Sequence, residues 1–227
     1  MVIFFLPHAG GSAKSYSSFK RFLPKEITVV PMELSGRFTR SSEPFLDTIE
    51  ECTADLIEKH KELLKGDYVL YGHSMGTVLA TELVRQVKEK RLPLPKHIFL
   101  SGKNPPDEAI HCLENINTAS DVEILSFFQK NGLASTPVFH EKELMEMLNK
   151  ILCTDVRMAE KYITEAFDFG CDITVLYGTE DPLMKMVDMS TWCRYTKGKC
   201  EVIPFSGNHF FFSRHKEEIC RIITDRI

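Results

Sequence analysis

Short apolar runs rich in β-branched and aromatic residues recur along the chain, at 2–6, 27–30, 68–71, 97–100, 173–177 and 200–205. They are nearly continuous rather than alternating, the pattern of strands covered on both faces. Several are separated by stretches with helical periodicity. Residues 45–64 gather Ile49, Cys52, Leu56, Ile57 and Leu64 on one side, as a helix packed on a sheet requires. Residues 77–91 follow a strand directly, and 214–227 carry Ile219, Ile222, Ile223 and Ile227. Strand alternating with helix predicts an α/β fold with a mostly parallel sheet. The rhythm breaks after Pro105. From there to Phe169 no strand is evident, and helical segments are expected near 121–131, 141–151 and 154–167. The expected organisation is a core of 1–104 and 170–227 interrupted by a helical insertion at 105–169.

Composition narrows the class. With 227 residues, 43% hydrophobic and 26% charged, the chain is an ordinary globular sequence, which excludes collagen-like and disordered classes. A net charge of −4, from 28 basic and 32 acidic residues, leaves no basic excess for nucleic acid or an anionic membrane. The charge is unevenly divided: 105–169 holds 12 acidic and 5 basic residues, and the rest of the chain 20 acidic and 23 basic. The seven cysteines include no Cys-x-x-Cys, and the closest two are seven apart. Neither a zinc site nor a disulfide framework is expected, and reduced thiols in the cytoplasm fit better. The opening Met1–Pro7 run is too short for a signal peptide and reads as a buried strand. No stretch approaches the ~20 apolar residues of a membrane span.

The chemistry concentrates at Gly72-His73-Ser74-Met75-Gly76, between an apolar strand and an apolar helix. Gly-x-Ser-x-Gly in that setting makes a sharp strand-to-helix turn that projects the serine hydroxyl over the sheet edge, at a helix N-terminus that favours developing negative charge. A serine hydroxyl needs a base to take its proton. In this architecture an acid and then a histidine follow, each in a loop after a late strand. Asp181 ends the loop after strand 173–177, with Glu180 as its competitor, and His209 lies between the last strand and the last helix. His73 adjoins the serine but is expected to point away, and His60, His97, His111, His140 and His215 read as surface or packing residues. The assignment is Ser74 as nucleophile, His209 as general base and then acid, and Asp181 fixing the imidazole tautomer. Two backbone amides should hold the oxyanion: that of Met75, directly after the nucleophile, and that of Ala9 in the His8-Ala9-Gly10-Gly11 loop after the first strand.

These motifs resemble those of the type II thioesterases, stand-alone α/β-hydrolases that accompany polyketide and nonribosomal peptide synthetases. The matching pieces are LPHAGGSA at 6–13, SGR at 35–37, YGHSMG at 71–76, TDVRMAEKY at 154–162, YGTEDPL at 177–183, Trp192 and GNHFFF at 207–212. They span essentially the whole chain. Two positions depart from the family pattern: Ser35-Gly36-Arg37 is followed by Phe38 where the family has Pro-Gly-Arg followed by Glu, and Asn208 stands where a second glycine is usual. The resemblance implies an α/β-hydrolase fold whose helical insertion is a lid over an acyl chamber. It also implies hydrolysis of acyl thioesters on the phosphopantetheine arm of acyl- or peptidyl-carrier proteins, by a monomer needing no cofactor or metal. Such carriers are usually acidic, so Lys14, Lys20 and Arg21, near the first loop, are expected to steer docking. The competing readings are a medium-chain fatty acyl thioesterase, a general serine carboxylesterase, and a carrier-binding module without catalysis.

Overall fold

The computed structural model describes residues 1–108, 118–133, 142–184 and 188–227. Six strands, β1 (Val2–Leu6), β2 (Thr28–Pro31), β3 (Tyr68–His73), β4 (His97–Ser101), β5 (Asp172–Gly178) and β6 (Cys200–Phe205), form one sheet in the order β2-β1-β3-β4-β5-β6. Every pairing is parallel, with Phe5 opposite Tyr71 and Leu100 opposite Val175 marking the register. Each predicted strand is present, displaced by at most two residues at either end.

Side chains alternate across a strand, and this splits the core in two. Phe4, Leu6 and Leu70 point to one face, where they meet Leu56 of α1 (Ile49–His60) and Leu79 and Leu83 of α2 (Met75–Glu89). Ile3, Phe5, Val69 and Tyr71 point to the other, against Phe19 of a 3-10 segment (Ala13–Arg21) and Ile219 and Ile223 of α5 (Lys216–Thr224). Both faces of β3 are therefore buried, and all six of its residues are inaccessible. That is why its sequence reads as one apolar run.

Between β4 and β5 stand α3 (Asp121–Lys130) and α4 (Lys142–Lys161). Ser120 and Glu123 close α3 with a reciprocal capping box, which satisfies two orphan amides at its start. The two helical segments expected at 141–151 and 154–167 are one continuous helix that stops at Lys161. Nothing at Leu152-Cys153-Thr154 breaks a helix, and the apolar stripe runs through the junction. Past Lys161 the chain to Phe169 is irregular, and Gly170 at φ +77° leads it into β5. The C-terminal half of α4 joins the main core through Met158 and Ala159. Its middle packs on α3 through Cys153, Val156, Ile124 and Phe128.

The cysteines depart from expectation. Cys193 and Cys200 are disulfide-bonded, with Cα atoms 5.3 Å apart, where free thiols were expected throughout. The chain reverses between the 3-10 segment Met189–Tyr195 and β6, and so brings two residues only seven apart within disulfide reach. Cys52, Cys153, Cys171 and Cys220 are free thiols, and Cys112 lies outside the described residues. Among the described residues no helix is long and apolar enough to cross a membrane.

Candidate active site

The turn from β3 to α2 is built by close backbone approach. A Cβ on Gly72 would lie 2.1 Å from the Gly76 carbonyl oxygen, and one on Gly76 would lie 2.5 Å from that of Leu6. Real Cβ atoms do not come so near, so both positions must be glycine. Between them Ser74 takes φ +54° and ψ −119°, a costly backbone for an L-residue that is held only where its surroundings over-determine it. Here the Ser74 amide donates to the Ser101 carbonyl at 2.7 Å, and the Ser74 carbonyl accepts from the Thr77 amide and hydroxyl at 2.9 and 2.8 Å. Met75 opens α2, so its amide is one of the helix's free N-terminal donors.

Asp181 and His209 meet across two interlocked loops. The amides of Thr179 and Glu180 donate to the carbonyls of Phe205 and Gly207 at 2.8 and 2.9 Å, which joins the loop after β5 to the loop after β6. Asp181 Oδ2 lies 2.7 Å from His209 Nδ1, while its Oδ1 accepts from the Leu183 amide at 2.9 Å. Both side chains are almost fully buried. The pairing assigns the Nδ1 proton to the Asp181 side and leaves Nε2 as the free base. Glu180, the competitor, is exposed. Asn208, one of the two departures from the family pattern, caps this loop: its side-chain oxygen accepts from the Phe210 amide at 3.1 Å.

The two halves come together through His73. Its ring centroid is 4.9 Å from that of His209 and 4.5 Å from Phe212, and its Nδ1 meets Ser101 Oγ at 2.9 Å. Burial holds His73 well below the ordinary histidine value and brings His8 down to about 4, so both rings are neutral. Ser74, Met75 and Ala9 line one cleft, walled also by Phe128 and Val156 of α3 and α4 and by Lys103, Asn104 and Glu160. Ser74 Oγ and His209 make no direct hydrogen bond among the described residues; such contacts are often long before substrate binds. His111 and His140 lie outside the described residues, and His97 is a buried packing histidine hydrogen-bonded to Thr174 at 2.8 Å.

Sequence reasoning missed one part of the site's framework. Arg37 is fully buried, with Nη2 2.8 Å from Asp155 Oδ1, Nη1 on the carbonyls of Ser35 and Leu46 at 2.8 and 2.6 Å, and its guanidinium 4.0 Å above the Phe45 ring. The other oxygen of Asp155 accepts from the Gly10 amide at 3.0 Å. One carboxylate on α4 therefore grips the loop that carries Ala9. Burial raises the Asp155 carboxyl, opposed by Arg37 and the Gly10 amide. The signal was present: Asp155 falls on the apolar face of its helix beside Ile151, Val156 and Met158, and a carboxylate on such a face needs a buried partner.

A parallel sheet, a serine elbow and a buried Asp–His pair define an α/β-hydrolase. The thioesterase domain family model matches residues 2–227, and the chain belongs to that family: it is a thioester hydrolase. The crystal structure of ClbQ from the colibactin NRPS/PKS pathway superposes with a TM-score of 0.90 at 31% identity, covering 99% of this chain and 95% of ClbQ. The gramicidin S biosynthesis protein GrsT of Aneurinibacillus migulanus is 28% identical over 99% of this chain and 88% of its own length. The thioesterase PikA5 of Streptomyces venezuelae is 27% identical over 98% and 79%.

Proposed function

We propose that this thioesterase clears acyl groups from the phosphopantetheine arms of carrier proteins in a polyketide or nonribosomal peptide assembly line, as a monomer in the cytoplasm. Ser74 Oγ attacks the thioester carbonyl carbon while its proton passes to His209 Nε2. The oxyanion forms against the amides of Met75 and Ala9. Its collapse expels the pantetheine thiolate, which takes the proton from His209. Water, deprotonated by the same nitrogen, then attacks the acyl-serine, and the acid leaves with Ser74 regenerated. Asp181 holds the imidazole in the required tautomer and stabilises the imidazolium.

The observation that carries this reading is the cleft. Its walls unite the serine, both proposed oxyanion donors and an apolar surface from α3 and α4, which together suit an acyl chain rather than a polar substrate. On this reading 105–169 is a lid over that chain. The relatives from antibiotic pathways support the carrier-bound substrate, and Lys14, Lys20 and Arg21, all exposed around the segment after the first loop, supply charge for an acidic partner. Turnover of one acyl group as carrier thioester, as coenzyme A thioester and as p-nitrophenyl ester tests the proposal. A kcat/KM at least about tenfold higher on the carrier, falling with added salt, is expected from steered docking. Equal or better turnover of the free esters would instead make this a general carboxylesterase.

A further inference from the structure

The loop after β1 rests on α4 at two side chains one helical turn apart. A Cβ on Gly10 would meet Leu152 Cδ1 at 3.1 Å, and the Gly10 amide donates to Asp155 Oδ2 at 3.0 Å. Residues three apart share a helix face, so one face of α4 makes both contacts. The Gly10 amide and the Ala9 carbonyl belong to one rigid peptide plane. That plane is held at both ends: its N–H by Asp155, and its carbonyl by His8 Nδ1, which donates to it at 3.1 Å. Gly10, at φ +70°, has no Cβ to limit its conformation, so the plane needs such anchors.

Neighbouring groups of the loop are engaged as well. The Gly11 amide donates to the His8 carbonyl at 2.9 Å, and the Ala13 amide to Glu33 Oε1 at 3.2 Å. The Ala9 amide differs. Among the described residues it donates to no acceptor, and Ala9 lines the cleft with Ser74 and Met75. A bare carboxylate so close would oppose the negative charge that develops at an oxyanion hole. Arg37 offsets it: its Nε and Nη2 lie 3.2 and 2.8 Å from Asp155 Oδ1, which leaves Oδ2 to Gly10. Asp155 thus acts on the loop as a hydrogen-bond acceptor whose charge is matched.

We infer that Asp155 is a positioning residue of the oxyanion hole: by taking the Gly10 amide it fixes the 9–10 peptide and leaves the Ala9 amide aimed at the reacting carbonyl. This role rests on the proposed reading of Ala9 as the second oxyanion donor. It makes α4 part of the chemistry, because the hole is complete only while that helix is seated on the loop.

Two double variants isolate the bond. Arg37→Gln/Asp155→Asn and Arg37→Gln/Asp155→Leu both lose the ion pair, but only the first keeps a side-chain oxygen for the Gly10 amide. Each is assayed on a p-nitrophenyl acyl ester for kcat and KM. Each is also assayed for the Ki of an alkylboronic acid, whose tetrahedral adduct on Ser74 puts an oxygen in the oxyanion hole. Against the asparagine variant, the leucine variant should show kcat at least about tenfold lower and a boronate Ki higher by a similar factor, with KM within about threefold. Loss of a whole donor sets the ceiling, about a thousandfold. Ki does not depend on the fraction of enzyme that is folded, so its rise separates positioning from destabilisation. Equal kcat and equal Ki in the two variants overturn the inference. Should either not fold, Asp155→Glu decides. It keeps the charge facing Arg37 but moves the acceptor by a methylene, so the boronate Ki should rise at least about tenfold; an unchanged Ki rejects the role. If wild type hydrolyses the p-nitrophenyl ester but no acyl-carrier, the carrier reading fails, and the boronate comparison still judges Asp155. A wild type that the boronate does not inhibit would overturn the oxyanion assignment and the role of Asp155 with it.

Discussion

The elbow at 72–76 and the helices between β4 and β5 both border the cleft, but different forces hold them. At the elbow the backbone itself is the constraint. Two glycines sit where any Cβ would strike a carbonyl oxygen, and a serine is forced to φ +54°. In α4 the backbone is ordinary helix. What fixes it is a set of side-chain contacts with partners far away in sequence: Asp155 to Arg37 and Gly10, Glu160 to Lys103, and Tyr162 to Glu82. The first kind of constraint dictates residue types locally. The second ties α4 to the loops after β1 and β4 through a few buried polar contacts.

The largest separation between the two should come from Asp181→Asn. On the proposed mechanism its carboxylate only orients His209, at 2.7 Å, so kcat should fall by about ten-thousandfold with little change in melting temperature. A comparable loss of stability would show that the pair is structural.

Asp155→Ala is the counterpart in the insertion. It leaves the Arg37 guanidinium buried without its carboxylate, and urea denaturation should register a loss of about 3–5 kcal/mol, with activity falling as the Ala9–Gly10 loop is released. The exposed Lys65–Glu62 pair gives the contrast, since Glu62→Gln should leave the denaturation midpoint essentially unchanged.

Acid should strike next. His8 and His73 are kept neutral by burial, so the unfolded chain binds their protons more readily than the folded one. For both, the contribution is present above the ordinary histidine value of 6.5 and is lost as pH falls below it, for His8 toward about 4. For His8 alone the loss is about 3 kcal/mol. Denaturation midpoints from pH 7 to 4 should follow that slope, and His8→Gln should flatten it. A stability independent of pH in that window would mean that these rings are hydrated.

The smallest effect belongs to the outer face of the insertion. Val122 is 75% exposed, and Val122→Ser should move the melting temperature by no more than about 0.5 kcal/mol of stability allows. A larger loss would place something against that face.

Much of this was legible before the structure, for reasons the comparison makes plain. The six strands and the elbow are written in contiguous residues whose types are dictated by two-sided burial and by steric contact. Asp181 and His209 were legible because a strand must deliver each of them to one sheet edge. What was hidden depended on pairing at long range. Arg37 and Asp155 are 118 residues apart, and nothing local to either names the other. Likewise, the continuity of α4 across Leu152-Cys153-Thr154, where two segments are expected, rests on packing against α3 and the main core. The Cys193–Cys200 bond needed the chain reversal between them, which no spacing rule supplies.

The most direct measurement is hydrolysis of an acyl-carrier thioester by wild type and Ser74→Ala, followed by intact mass of both enzyme and carrier. Wild type should return the carrier to its free thiol and pass through an acylated enzyme whose added mass maps to Ser74. Ser74→Ala should show neither, with a rate lower by at least about a thousandfold. A Ser74→Ala enzyme that retains the rate within about a hundredfold, or acylation mapped to another residue, would contradict the assignment of the elbow serine as nucleophile.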